Sequence, residues 1–445
     1  MPSERDLKPW VRPELQRYQF VNANVVDAAA GRIIENATVT ISSGKFESVT
    51  TSTSKASSAG TADNIIDCRG RYLCPGLFDA HVHFVAVPGF DGLGAAFDNP
   101  NDVSVLRQPY VASQMLHRGF TSARDCGGAQ SALRDAINDG VFAGPRLFIA
   151  GHALSQFGGH GDTRGQFDHT QCCGGHTNGL GRLCNGIPEC MAAVREEIRR
   201  GADFIKIMGS GGVSTPTDRL EQLQFTNAEI QAMVECADNA CTFVTAHAYT
   251  VKAIRHCIDN GVRGIEHGNF LDADTAAIMV KKNVYLTPTI VAYAEMSKDR
   301  WKNYLPPDGR AKNTQVLSGG LDAIKVAYDA GVTMCYGSDL LGPLGMAQTA
   351  EFTLRAKVLP SLAVLQSATV NPAKMMGLAD SLGQIKDGFL ADMLVLEKNP
   401  LEDVTILDNP EQHLLCVMKE GRVYKSKMEG VKVDGEFPVR IQSTL

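Results

Sequence analysis

The chain has 445 residues, 44% hydrophobic and 21% charged, which excludes a disordered or fibrous protein and suits about two to three domains, or one large barrel with an appendage. Forty-three Lys and Arg stand against 49 Asp and Glu for a formal charge of -6, and without a long basic run nucleic acid is excluded as a partner. Residues 1–10 lack the apolar heart of a secretory signal and no stretch reaches the ~20 apolar residues of a membrane span, so the expectation is a cytoplasmic protein with no membrane partner.

In chain order, residues 18–27, 37–41 and 45–49 alternate like strands, with turn residues around Gly31. Residues 51–63, rich in Ser, Thr, Ala and Gly, read as a loop, and 65–68 and 72–74 complete a small all-β unit. At Pro75-Gly76 the character changes. Apolar runs predict strands over 77–83, 121–125, 146–150, 204–208, 243–247, 264–267, 284–289 and 333–339. Helical patterns separate most of them, at 191–200, 227–240, 251–260, 272–282 and 321–330. This α/β alternation predicts a (β/α)8 TIM barrel over 76–380, with catalytic groups at the C-terminal ends of its strands. Strands return at 393–396, 414–418 and 422–424, so residues 1–75 and 381–445 are expected to form one β-sandwich into which the barrel is inserted.

Five sites fall at the ends of predicted strands. His81-Val82-His83 closes the first; alternate side chains on a strand share a face, so both imidazoles can reach one ion. Lys206 lies in the apolar run Phe204-Ile205-Lys206-Ile207-Met208, where an unpaired ammonium costs several kcal/mol and calls for a partner, a changed charge or a chemical modification. His247, His267 and Asp339 end the fifth, sixth and eighth runs. Taken singly, each has an ordinary alternative: a satisfied core histidine, a snorkelling lysine, a turn aspartate. Together they point to a metal, since neutral imidazoles bind zinc-like ions and an aspartate can bind the same ion while taking a proton from the attacking water.

The combination of His81-Val82-His83, Lys206, His247, His267 and Asp339 resembles the binuclear metal site of the amidohydrolase superfamily. Gly151-His152-Ala153-Leu154-Ser155-Gln156-Phe157-Gly158-Gly159-His160-Gly161-Asp162, Ile205-Lys206-Ile207-Met208-Gly209-Ser210-Gly211-Gly212-Val213 and Ala246-His247-Ala248-Tyr249-Thr250 are similar to the branch of Xaa-Pro dipeptidases, metallo-carboxypeptidases and ochratoxinase. The resemblance implies a distorted barrel with a small β-sandwich, a homo-oligomer, and two divalent cations, most simply Zn2+. It implies that His81, His83 and Asp339 hold one ion, that His247 and His267 hold the other, and that a CO2-derived carbamate on Lys206 bridges them. The implied reaction is hydrolysis of an amide bond in a small dipeptide-like or N-acyl amino acid substrate by a metal-bridging hydroxide, with Asp339 as the proton carrier.

Three further residues are candidates for binding substrate. Tyr249, two positions past His247, faces the same side and can donate to a substrate oxygen or carboxylate. Arg255 is either a carboxylate clamp or a surface arginine, and His160 either lines the pocket or caps its loop. The long segment 166–188 carries His169, Cys172, Cys173, His176 and Cys184, a length typical of lids and oligomer contacts. Cys172, Cys173, Cys184 and Cys190 contain no CxxC pair, so reduced thiols are expected. Cyclic-amide hydrolysis, a deaminase-like reaction and decarboxylation use the same ligands, whereas an inactive scaffold would be expected to have lost some of them.

Overall fold

The computed structural model describes residues 7–8, 10–51, 64–97, 101–164, 167, 179–215 and 217–434. His169, Cys172, Cys173 and His176 lie outside them. The first strands are β1 (Tyr18–Asp27), β2 (Arg32–Ser42), β3 (Lys45–Thr51), β4 (Asn64–Asp67) and β5 (Tyr72–Pro75). The middle of the chain supplies β6 (Leu77–Val82), β7 (Phe120–Asp125), β8 (Arg146–Ile149), β9 (Ala153–Ser155), β10 (Gly181–Leu183), β11 (Ile205–Met208), β12 (Val244–Ala248), β13 (Gly264–His267) and β14 (Tyr285–Thr287). Then come β15 (Met393–Leu396), β16 (Leu414–Lys419) and β17 (Arg422–Ser426).

Both chain ends enter one eight-stranded sheet, in the order β17-β16-β15-β5-β1-β2-β3 with β4 beside β1. Strand β5 is the joint: Leu73 pairs with Val25 in parallel register, and Cys74 faces Leu394 of antiparallel β15. Alternating residues of these strands, among them Phe20, Val25, Val39, Leu73, Met393 and Val395, bury one continuous core.

The middle strands form two parallel sheets, β6-β7-β8 and β10-β9-β11-β12-β13-β14. Strands β6, β7, β11, β12 and β13 are buried at every residue, as expected for parallel strands covered on both faces. The helices between them begin on side-chain caps. Thr226 and Glu229 make a reciprocal capping box at Asn227–Asn239, Thr250 caps Val251–Asp259, and Asp272 caps Ala273–Lys281.

Three differences from the sequence reading stand out. The run 333–339 is not a ladder strand; it makes a single bridge, Met334 to Leu286, and then bends. It nevertheless hydrogen-bonds on both sides, Cys335 N to Leu286 O at 2.8 Å, and Ala80 N to Tyr336 O and Asp339 N to His81 O at 2.7 and 2.8 Å. Short β9 and β10 were not anticipated. The helix expected at 321–330 starts at Pro307 and runs 24 residues, because Pro at its first turn and a polar face hide its beginning from an apolar-period test.

The central sheets are locked to the chain-end sheet by charge. Arg146 of β8 donates to Asp392 at 2.5 and 3.3 Å and to Glu420 at 2.6 Å, while Glu420 N donates to the same aspartate. Among the described residues no helix is long and apolar enough to cross a membrane.

Candidate metal centre

His81 lies inside β6 and His83 just beyond it, so the alternation of the strand turns both rings to one side. Their Nε2 atoms are 3.3 Å apart, and Asp339 Oδ1 is 3.5 Å from the first and 3.3 Å from the second. Asp339 is held there from behind. Buried Asp79, also in β6, accepts from Ser338 N and Oγ and from Gln348 Nε2, which pins the segment before Asp339 to the strand carrying His81. Gly337 makes this approach feasible, since a Cβ on it would stand 2.6 Å from Thr287 and 2.9 Å from His81 Cβ.

The other ligand candidates come from three adjacent strands. Lys206 in β11 is 1% exposed, and its charge acts on His81, His83, His247 and His267. The His247 and His267 rings, at the ends of β12 and β13, have centroids 4.5 Å apart, and His267 is 5.0 Å from His81. Both His267 (φ 74°) and Asp339 (φ 50°) sit in the left-handed region that side chains with a Cβ seldom adopt, a local strain of the kind that collects at functional sites. All six residues line one cavity of about 290 Å3.

Hydrogen bonds fix which ring nitrogens remain free. Gly127 O, 2.7 Å from His83 Nδ1, can only accept, so Nδ1 carries the proton; Glu266 Oε2 does the same for His81 Nδ1 at 2.8 Å. His247 Nε2 faces Gly211 O at 3.3 Å, which leaves its Nδ1 open. His267 Nδ1 meets the hydroxyls of Thr289 at 2.7 Å and Tyr293 at 2.9 Å. Burial, followed by the Lys206 charge, lowers His81 to about 4; burial followed by neighbouring rings or cations holds His247 well below its usual value, and burial does the same for His267 against the pull of Asp339. For His83 burial is outweighed by Asp339, which raises it, and for Asp339 the nearby imidazoles outweigh burial and hold the carboxyl ionised.

A model of the amidohydrolase family matches residues 72–424. The chain belongs to the amidohydrolase family. It is 31% identical over 374 residues to ochratoxinase from Aspergillus niger, covering 79% of this chain and 75% of that protein. It is similar to the crystal structure of a prolidase complexed with N-methylphosphonate-L-proline, at 37% identity and a TM-score of 0.87 over 93% of this chain and 100% of that one. It is also similar to a Xaa-Pro dipeptidase with methionine bound in its active site, at 28% identity and a TM-score of 0.82 over 92% and 100%. Family membership makes it a hydrolytic enzyme.

The donor set of this amidohydrolase fits a divalent cation. Nε2 of His81, Nε2 of His83 and the Asp339 carboxylate converge at 3.3–3.5 Å, nitrogen and oxygen donors of the kind a zinc-like ion takes. Ligand atoms of His81, His267 and Asp339 lie within 4.8 Å of one another. A second group within that range, His81, Cys126 and Glu266, is a poorer site: burial keeps the Cys126 thiol protonated, and Glu266 is engaged by Arg124.

The substrate candidates separate. Tyr249 and His160 line the cavity, whereas Arg255 does not; it lies on the helix Val251–Asp259, 3.5 Å from Asp259. His160 stacks on His247 with centroids 4.3 Å apart, and its Nδ1 is 3.2 Å from Asp218. Gly212 yields to this ring, which a Cβ there would strike at 2.0 Å. Cys184 and Cys190 are buried free thiols.

Sequence reasoning missed Glu266, Arg124 and Tyr293. Fully buried Glu266 accepts from His81, from Arg124 Nη2 at 2.5 Å and from Thr245 Oγ1 at 2.5 Å, and Arg124 also donates to Ala80 O. The signal was available, because each of these charges sits in an apolar strand run, as Lys206 does. Tyr293, on the helix Ile290–Met296, carried no comparable mark.

Proposed function

We propose that this amidohydrolase is a binuclear metal hydrolase that cleaves the amide bond of a dipeptide-like or N-acyl amino acid substrate. The convergence of His81, His83, Lys206, His247, His267 and Asp339 on one cavity carries this reading. His81, His83 and Asp339 would hold one ion, His247 and His267 a second, and Lys206 as its carbamate would join them. Carbamylation also removes the cost of an ammonium buried among apolar residues. When bound, two Zn2+ ions supply a water of lowered pKa and a Lewis acid for the carbonyl. Asp339, kept ionised by its imidazole neighbours, takes the proton of the attacking water and returns it to the leaving nitrogen. Tyr249 donates to a substrate oxygen, and Leu93, Val213, Met296, Leu305 and Leu344 present an apolar wall to the side chain or acyl group.

In this reading the two parallel sheets and segment 333–339 close as a distorted barrel over 76–380, residues 1–75 and 381–445 form the sandwich, and the protein acts as a homo-oligomer in the cytoplasm. A metal-loaded screen of N-acyl amino acids and Xaa-Pro dipeptides against lactams and aromatic acids tests the chemistry. The expected result is turnover of the first group only, about two zinc ions per chain by elemental analysis, and loss of both activity and metal in His81→Ala. Labelled bicarbonate should give a carbamate carbon signal that Lys206→Ala abolishes. Turnover confined to lactams or aromatic acids, or full activity without bound transition metal, overturns the reading.

A further inference from the structure

Tyr249 Oη lies 2.9 Å from Tyr293 Oη, which in turn lies 2.9 Å from His267 Nδ1. Thr289 Oγ1 is 2.7 Å from the same nitrogen. Both tyrosines are fully enclosed, at 2% and 1% exposed, and both reach the cavity wall. A chain of hydroxyls like this can run in either direction, and the direction decides what the last member offers a substrate.

The proton count along the chain settles the direction once His267 is read as a metal ligand through Nε2, and the inference rests on that reading. With its lone pair on Nε2 committed, a neutral imidazole carries its proton on Nδ1 and donates it toward Thr289 and Tyr293. Tyr293 Oη, 2.9 Å from that N–H, finds no acceptor there, and its own proton goes to its other partner, Tyr249 Oη. Tyr249 Oη accepts that proton and so cannot donate back to Tyr293, which leaves its own proton for the cavity that it lines.

We propose that His267, Thr289 and Tyr293 form a one-way hydroxyl relay that fixes Tyr249 as an obligate hydrogen-bond donor to a substrate oxygen. Tyr293 and Thr289 are positioning residues in this device, and Tyr249 is the group that touches substrate. The relay selects substrates that offer an acceptor at that point and ties the donor to the ring that would hold metal.

The test has two arms on the zinc-loaded enzyme. Neutron diffraction of perdeuterated crystals should show deuterium on His267 Nδ1, the Tyr293 deuterium directed at Tyr249 Oη, and the Tyr249 deuterium directed into the cavity. A Tyr249 deuterium directed at Tyr293 overturns the relay. Kinetically, with N-acetyl-L-phenylalanine as probe and metal content as control, Tyr249→Phe should lower kcat/KM about 100-fold and Tyr293→Phe about tenfold. The double variant should be no worse than Tyr249→Phe, because Tyr293 works only through Tyr249. Losses that multiply indicate a separate structural role for Tyr293 and overturn the proposal. If the unaltered enzyme does not hydrolyse the probe, the proposed substrate class fails instead, and the neutron arm still decides the relay.

Discussion

At the scale of single residues, the site is a set of side chains brought closer than their charges and volumes favour. Gly337 is the plainest case, because the loss of one methyl group is what lets the segment before Asp339 lie against His81. Gly337→Ala should therefore displace His81, lower stability by about 1–3 kcal/mol and reduce bound zinc together with activity. Gly345→Ala, where a Cβ meets nothing within 4 Å, is the matched control; equal metal content in the two variants, measured by elemental analysis, would refute the assignment. The sequence exposes the six candidate ligands because metal-binding side chains are conspicuous at the ends of apolar strands. It marks Glu266 and Arg124 as buried charges without showing that they are partners, since β13 and β7 belong to different sheets and the two side chains meet only in the fold. Tyr293 is hidden for a related reason: its value lies in a proton shared with a ring 26 residues earlier.

At the scale of elements, patterning predicted the buried parallel strands well, since each is a short apolar run bounded by turns, and predicted segment 333–339 poorly. That segment bonds to β14 at one end and β6 at the other, with a left-handed residue at its close, so its partners change along its length. Alternation cannot report such a change. Strand β16 carries a different kind of exception in Lys419, which is 3% exposed and donates to Gly144 O at 2.9 Å. Burial lowers it from 10.5 to about 8, against the pull of Glu420. Between those values the unfolded chain binds the proton and the folded chain has released it, so stability rises with pH across this window. The unfolding free energy of the native chain relative to Lys419→Met should grow by about 3 kcal/mol from pH 8 to pH 10.5. Parallel denaturation curves would check this, and a flat difference would show that Lys419 keeps its proton when folded.

At the scale of the whole molecule, the chain-end sheet and the central strands share one framework. Strand β15 fills the place beside β5, and Arg146 clamps Asp392 and Glu420 from the other side. A chain stopped after Asp380 loses β15, β16 and β17 and bares Leu73 and Cys74 along an open strand edge, so it should be recovered as aggregate. A chain stopped after Asp434 should remain soluble and monodisperse by light scattering, and equal behaviour of the two would deny the sheet its unifying role. The interleaving of β5 between β1 and β15 also has a meaning for biosynthesis. A ribosome releases β1 to β5 early and must make everything from Gly76 to Asp392 before the partner of β5 exists. At ~5–20 residues per second that leaves an apolar strand edge waiting for tens of seconds in a crowded cell. The sheet is thus completed only as synthesis ends.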